Sequence, residues 1–512
     1  MYSLSAAFLF FVLVAVDSAR ILGVFQFPSL SHQIVFRALC RELSLRGHQV
    51  TIVTSSPLRD KSLVNLTEID ISSAANVLPS SESIEFTMSK DMPTTEIMIS
   101  FYDLSEKIQE AVLQNEEFQK LYNDPKAEFD LLISEALHPG MYSLAGRFNV
   151  PVIGMSSLGV VTASHESVGN IIHPVLYPDM NLPYVGRLTL KEKLYSIYFT
   201  MWSLYYYNFK VIPRADMISR KYLGDQLPYL GDIGRNVSLL LINTNMAIYG
   251  PRPHIPTVIP LGFTHIQPVK PLPKDLQSIL DSESIGAVYF SLGSNVKSCH
   301  LSPHILASIT KVLSEIPYTV FWKWEGDKLP KSTDNIIYRK WFPQRDLLAH
   351  PNIKLFITQG GLQSIEEAIL SEVPMVGMPF IGDQAMNVKR IAMLGIGVEE
   401  DPSKITATSF RNSIFEVIRN STYKKRIKEW RHILEDQPMS SMEKAIFWTE
   451  YVIRHKGAPH LRAPTLYVPW WEYFLFDAIG FALLMCFVIV YVIFKCLLRL
   501  PRIFKHDKLK TT

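Results

Sequence analysis

The chain has 512 residues, with 51 lysines and arginines against 48 aspartates and glutamates, a formal net charge of +3. At about 150 residues per domain this length fits two or three domains, and the near-neutral charge excludes a nucleic-acid binder, which needs a strongly basic surface. Apolar residues at 48% and charged ones at 19% exclude a disordered chain, and only four cysteines exclude a disulfide-stapled scaffold.

The first element is the apolar run Ala6–Val16, followed by Asp17-Ser18-Ala19. It is too short to cross a bilayer, and small residues follow where a signal peptidase would cut. Residues 1–19 therefore read as a cleaved secretory signal. Ile21–Phe27 then reads as a buried strand. After the Pro28-Ser29 break, the apolar period from Ile34 to Leu45 predicts a helix stopped at Gly47, and Gln49–Thr54 the next strand. Strand, helix and strand in that order mark a parallel sheet, which Phe129–Ser134 and Val152–Met155 continue. Tyr195–Phe209 is an aromatic helical stretch with three readings: the wall of a lipophilic pocket, a surface resting on a membrane, or a helix burying its rings in the core. Pro251–Pro273, with seven prolines, reads as an interdomain linker. A second strand series follows: Ala287–Ser291, Thr319–Trp324, Ile336–Lys340, Leu355–Thr358 and Met375–Met378. Two doubly wound domains, 20–265 and 266–455, are thus expected to face a cleft at the carboxyl ends of their sheets.

Gln359-Gly360-Gly361 leads out of the Leu355–Thr358 strand into a helix from about Leu362 to Leu370. Paired glycines let a diphosphate approach the backbone, and a helix start offers unpaired N–H groups to it. An ordinary strand–helix turn remains open on these residues alone, and no Gly-x-Gly-x-x-Gly supports a nicotinamide. Beyond a juxtamembrane stretch at 456–472, residues 473–498 hold the uncharged run Ala478–Phe494. With its extension to Leu498 it makes a helix of about 30 Å, one bilayer core. Trp470, Trp471 and Tyr473 form an aromatic belt, and Arg499, Arg502, Lys505, Lys508 and Lys510 place the 499–512 tail in the cytosol. The rest of the chain is then luminal, in keeping with sequons at Asn65, Asn236 and Asn420. Lys508 and Lys510 look like a dilysine address for retrieval to the endoplasmic reticulum. Cys40 and Cys299 are expected as two buried thiols.

The segment Trp341-Phe-Pro-Gln344-Arg-Asp-Leu-Leu-Ala-His350, with 356–368 and 374–384, resembles the signature of the UDP-glycosyltransferases, most like their insect membrane-bound branch. The likeness extends to Phe290–Ser294, to Arg454-His-Lys-Gly457 and to both end signals. It implies an α/β fold of GT-B architecture: two doubly wound Rossmann-like domains facing a cleft, acceptor domain first and UDP-sugar domain second, plus one C-terminal transmembrane helix. By this resemblance Trp341 would stack on the uracil with Gln344 nearby, and Glu367 would accept both ribose hydroxyls. Its neighbour Glu366 reads as a solvated helix acid. Ser294 and the amides of Gly360 and Gly361 would hold the diphosphate, with Gln359 facing it, and Asp383 and Gln384 would bind sugar hydroxyls. Two positions depart from the pattern. Gln359, which cannot carry charge, stands where many relatives have histidine, and Leu362-Gln363 replaces Thr-Asn, leaving Gln363 as a longer substitute.

On the residues alone, a lone histidine such as His32 is more often structural than functional. The resemblance makes it the general base, taking the acceptor's hydroxyl proton as oxygen attacks the anomeric carbon, so that an α-linked donor gives a β-linked product. Relatives orient this histidine with an aspartate; here Glu135 stands at that position, while Asp130 lies at the strand's start. The function these features imply is transfer of a sugar, glucose by resemblance to the insect branch, to a hydroxyl of a small lipophilic acceptor, for detoxification or hormone inactivation. The location implied is the endoplasmic-reticulum membrane, single-pass with luminal catalytic domains. UDP-sugar is a co-substrate, no cofactor is implied, and no Asp-x-Asp motif calls for a metal. A homo-oligomer is left open. Two alternatives also stay open: a catalytically weak aglycone-binding membrane protein, and a transferase acting on lipid or protein.

Overall fold

The computed structural model describes residues 18–78, 92–329 and 333–507, with side chains as far as Leu498. The expected signal run Ala6–Val16, the retrieval lysines Lys508 and Lys510, and the side chains of Arg499, Arg502 and Lys505 lie outside the described residues. The chain forms two compact units, one ending at Leu461 and one starting at Arg462.

Apolar runs such as ILGVF, LLISE and LLLI lack the alternation of a one-sided strand, so they are expected to be buried on both faces between layers of helices. They form a parallel sheet: β1 (Arg20–Phe25), β2 (Gln49–Thr54), β3 (Leu66–Asp70), β4 (Leu131–Glu135), β5 (Val152–Ser156), β6 (Leu239–Ile242) and β7 (Val258–Pro260), in the order β3-β2-β1-β4-β5-β6-β7. The second parallel sheet holds β8 (Ala287–Ser291), β9 (Thr319–Lys323), β10 (Ile336–Arg339), β11 (Ile353–Thr358), β12 (Met375–Gly377) and β13 (Gly397–Glu399), in the order β10-β9-β8-β11-β12-β13. In each sheet the winding reverses once, between β1 and β4 and between β8 and β11. At such a reversal the two loops leave in opposite directions and open a crevice at the strand ends.

Several expectations are revised. The proline-rich stretch is not all linker, because β7 lies within it, pairing Ile242 with Pro260. Proline is tolerated there because β7 is the sheet's edge, where the outward N–H has no partner to lose. The division at 455 also does not follow the packing. The helix Ser441–Arg454 returns to the first domain, where Ala445, Ile446 and Val452 share a core with Phe36, Leu39 and Leu43 of the helix Leu30–Leu45. Of the readings of the aromatic stretch, burial and exposure both hold. In the helix Leu190–Tyr206, Phe199 is buried and Trp202 packs on the core, while Leu194, Tyr198, Met201 and Tyr205 are exposed. Cys40 and Cys299 are both unpaired: Cys40 is buried, which pushes its thiol up to about 12, and Cys299 is half-buried.

In the second unit, Phe476–Leu498 is a 23-residue helical stretch of mean hydropathy 2.7 with exposed apolar side chains. At 1.5 Å per residue it is about 35 Å long, enough to cross a membrane.

Candidate active site

His32 begins the helix after β1, and Glu135 ends β4, so the reversal of the first sheet brings together residues 103 positions apart. His32 Nδ1–H donates to Glu135 Oε1 at 2.9 Å, and the other carboxylate oxygen accepts the Phe27 N–H at 3.0 Å. Both side chains are buried, Glu135 almost completely, and the Phe27 ring stacks on the imidazole at 5.4 Å between centroids. With Nδ1 committed as donor, Nε2 is left with the lone pair a base requires. The glutamate's extra methylene lets one carboxylate bridge the imidazole and a backbone amide, so the dyad is fully hydrogen-bonded.

The second sheet's reversal supplies the facing wall. The helix Gln384–Leu394 begins at Asp383, whose carboxylate accepts from Asn387 Nδ2 at 2.8 Å. Burial raises the Asp383 carboxyl above its ordinary value, while the Asn387 bond pulls it back, as does His32 whenever its imidazole carries a proton, so the two groups lie within electrostatic reach of each other. Gln384 Oε1 accepts the Phe380 and Ile381 N–H groups at 2.8 and 3.0 Å, which fixes its carboxamide and leaves the Nε2 donors uncommitted. Asn387 was not singled out by sequence. It also donates to the Gly360 carbonyl at 2.9 Å and accepts from Tyr249 at 3.0 Å, tying Asp383 to the glycine turn.

In that turn the two glycines differ. Gly360 has φ +82°, and a Cβ there would lie 2.4 Å from Val388 Cγ2, whereas a Cβ on Gly361 would meet only Gln359 Nε2, at 3.5 Å. Packing therefore requires Gly360. Gly361, the cap of the helix Leu362–Leu370, has open space around it instead. Gly360→Ala should cost about 2 kcal/mol of stability through strain and overlap. Gly361→Ala should leave Tm within about 1 °C and weaken UDP binding. Thermal unfolding with and without UDP checks both, and equal Tm losses would contradict this division.

Other expected donor residues take varied places. Trp341 is 57% exposed, with the Lys323 ammonium 5.6 Å from its ring centroid, as suits a stacking platform at a site's edge. Gln344 donates to Glu367 Oε2 at 2.9 Å and accepts from Tyr289 at 3.2 Å. Ser294 is half-buried beside Asn295, which accepts a 2.9 Å bond from Ser29 of the first domain. Gly360 N–H points to Thr358 Oγ1 at 3.3 Å, leaving Gly361 and the first turn of the helix as the open donors. Gln359 is buried with its Oε1 unpartnered. Gln363 turns away from the donor side: its amide donates to the Ser157 carbonyl of the first domain at 2.9 Å, holding the cleft together.

Glu366 is not a solvated helix acid. It is fully buried, accepts the Phe263 N–H at 3.0 Å, and stands 3.4 Å from His265 Nδ1, while His265 Nε2 stands 3.6 Å from Glu367. The segment joining the domains thus packs on the helix that carries both acids. Burial pushes the Glu366 carboxyl up to about 7 from 4.5, opposed chiefly by His265 and the Phe263 amide. The folded state therefore keeps a proton that the unfolded chain releases between these values. The stability tied to it is whole below pH 4.5 and is lost as pH rises to 7, about 3 kcal/mol in all. Glu366→Gln should raise Tm at about pH 8 and change it little at about pH 4.5; equal shifts at both would refute this origin.

A histidine held by a carboxylate at one sheet's reversal, with an Asp-Gln pair and a glycine turn at the other's, is the build of an inverting UDP-sugar glycosyltransferase of GT-B architecture. Residues 23–511 match the family model described as UDP-glucoronosyl and UDP-glucosyl transferase, and the chain belongs to that family. It is 33% identical to UDP-glycosyltransferase UGT5 of Dactylopius coccus, over 93% of this chain and 91% of that one. It is 30% identical to UDP-glucuronosyltransferase 2B7 of Homo sapiens, over 91% of each. Among solved structures, the spinosyn forosaminyltransferase SpnP superposes with a TM-score of 0.56 at 15% identity, over 86% of this chain and all of that one, which shows the shared fold.

Proposed function

We propose that the chain transfers glucose from UDP-glucose to a hydroxyl of a small lipophilic acceptor, as a membrane-anchored enzyme in the lumen of the endoplasmic reticulum that detoxifies such molecules or inactivates hormones. The observation that carries the chemistry is the His32–Glu135 pair, within electrostatic reach of Asp383. The acceptor's O–H proton passes to His32 Nε2 as its oxygen bonds to the anomeric carbon, and the bond from that carbon to UDP breaks on the opposite face. Glu135 stabilises the imidazolium that forms. The charge of departing UDP falls on the Gly361 amide, the start of the helix Leu362–Leu370 and Ser294, so the reading calls on neither metal nor cofactor.

Glucose, rather than another sugar, rests on the resemblance to the insect branch, and the membrane setting on the Phe476–Leu498 helix. The test is transfer by microsomes holding the full chain, supplied separately with labelled UDP-glucose, UDP-glucuronate and UDP-N-acetylglucosamine and a panel of phenols, steroids and lipid acceptors. Glucosylated phenol or steroid is expected. Transfer from UDP-glucuronate alone, or to lipid alone, would overturn the reading. Glycan on Asn236 and Asn420, both exposed, is the corresponding check of a luminal body. Glycosidase treatment should lower the apparent mass, and N236Q and N420Q should each remove part of that shift.

A further inference from the structure

A cavity of about 300 Å³ adjoins the site, walled by the first domain on one side and by the helix Gln384–Leu394 on the other. Met386, Arg390 and Met393 face it from one side of that helix, Asp383 stands at its rim, and Tyr177, Tyr249 and Arg252 line the opposite wall. Two guanidinium groups thus meet in one small space whose lining is polar and apolar in similar measure. Each rests on a tyrosine of the wall: Arg252 over Tyr177 and Arg390 over Tyr249, both 5.5 Å from the ring centroid.

Neither cation forms an ion pair with a carboxylate among the described residues. Arg390 makes no hydrogen bond there, and Arg252 only a 3.3 Å bond to the Ile171 carbonyl; the buried Nε of each is unpartnered. Asp383, the one acid lining the cavity, is engaged by Asn387. Asp179, whose charge acts on Arg252, spends its oxygens on Thr162 and Asn181. His165 and His254 line the same space but are held neutral, His254 at about 4, because burial and the Arg252 charge disfavour a further cation. Burial also lowers Arg252, to about 10, and Arg390. A desolvated, unpaired guanidinium is costly, and an anionic ligand group removes that cost while gaining a charge-assisted, forked hydrogen bond.

We propose that Arg390 and Arg252 form a carboxylate subsite, and that the chain takes small aromatic acceptors bearing an acidic group alongside the hydroxyl that is glycosylated. Tyrosine and methionine faces take the flat body, and the guanidiniums take the charge. The carboxylate is assigned to the acceptor because the cavity's larger wall, from Gly159 to His254, belongs to the first domain; an acidic sugar on the donor is the other source of the same chemistry. This deepens the transferase reading above and rests on it for turnover, but not for binding.

The test compares 6-hydroxy-2-naphthoic acid with its methyl ester, which share one ring system and one phenol. Binding of each to the detergent-solubilised full chain is measured by calorimetry without donor, and KM with UDP-glucose and with UDP-glucuronate. The acid is expected to bind about 10-fold tighter than the ester. Arg390→Gln or Arg252→Gln should bring the acid-to-ester ratio near one, and Arg390→Lys should retain part of the preference, which a folding defect would not do. Tighter acid binding that depends on Arg390 supports the subsite even if no sugar is transferred. Equal binding of acid and ester, or a preference untouched by both glutamine variants, would overturn it. An Arg390-dependent preference for UDP-glucuronate without one for the acid would also overturn it, by moving the carboxylate to the donor.

Discussion

Replacing His32 with alanine is expected to lower kcat by about 10³-fold while leaving UDP affinity within about 2-fold, because the imidazole acts on the acceptor's proton and not on the nucleotide. General-base assistance supplies about 10²–10⁴-fold, and 10³-fold corresponds to about 4 kcal/mol of barrier. Glu135 should show the same dependence at one remove. Glu135→Gln keeps an acceptor for the Phe27 amide but cannot stabilise the imidazolium, so kcat should fall about 10²-fold with little change in Tm. Glu135→Asp is expected to fall about 10-fold, since a shorter arm cannot span both the 2.9 Å bond to His32 and the 3.0 Å bond from Phe27. Single-turnover rates at saturating donor check the series. Retained activity in His32→Ala, or in Glu135→Gln, would remove the dyad from the mechanism.

Glu367→Ala is expected to raise the KM for the UDP-sugar and the inhibition constant of UDP together, each by about 100-fold, with a smaller effect on kcat. A carboxylate accepting two hydroxyls contributes charge-assisted bonds of about 1.5–3 kcal/mol each, and their loss is partly offset as Gln344 finds other partners. The ribose is unchanged between ground and transition states, so the effect is uniform binding and falls on affinity. The bond from Gln344 at 2.9 Å and the approach of His265 at 3.6 Å hold this carboxylate in place. Glu366→Ala, one residue earlier, should lower stability without a comparable effect on UDP inhibition, because its oxygens face Phe263 and His265. An unchanged UDP constant in Glu367→Ala would show that the ribose is bound elsewhere.

Which of two adjacent acids faces a ligand is the kind of fact a sequence withholds. Both Glu366 and Glu367 sit on a helix whose limits, Leu362–Leu370, were readable from its apolar period and from the glycines before it. What buries Glu366 is a segment 103 residues earlier in the chain, so no local pattern marks it. Asn387, Tyr249 and Ser157 went unread for the same reason: each acts through bonds to segments distant in the chain. Among strands, the apolar run Ala287–Ser291 matches β8 at both ends, whereas β3, β6, β7 and β13 were missed. All are short, with three to five residues each, and all but the buried inner β6 are partly exposed edge strands. Too few residues repeat there for a period to show.

By itself the sequence determined the alternation of strands and helices, hence two parallel sheets, the apolar helix near the C-terminus, and the residue types for a base, a phosphate turn and a sugar-facing pair. Such features follow from local propensity and from hydrophobic pattern along a short stretch. Only the tertiary structure decided that Glu135 closes on His32, that Gly360 answers to packing while Gly361 has open space, that Gln363 pins the cleft, and that Arg252 and Arg390 share one cavity without an acid to pair them. Each of these depends on distances between segments far apart in the chain, set by where the sheets reverse their winding and by what the joined domains bury between them.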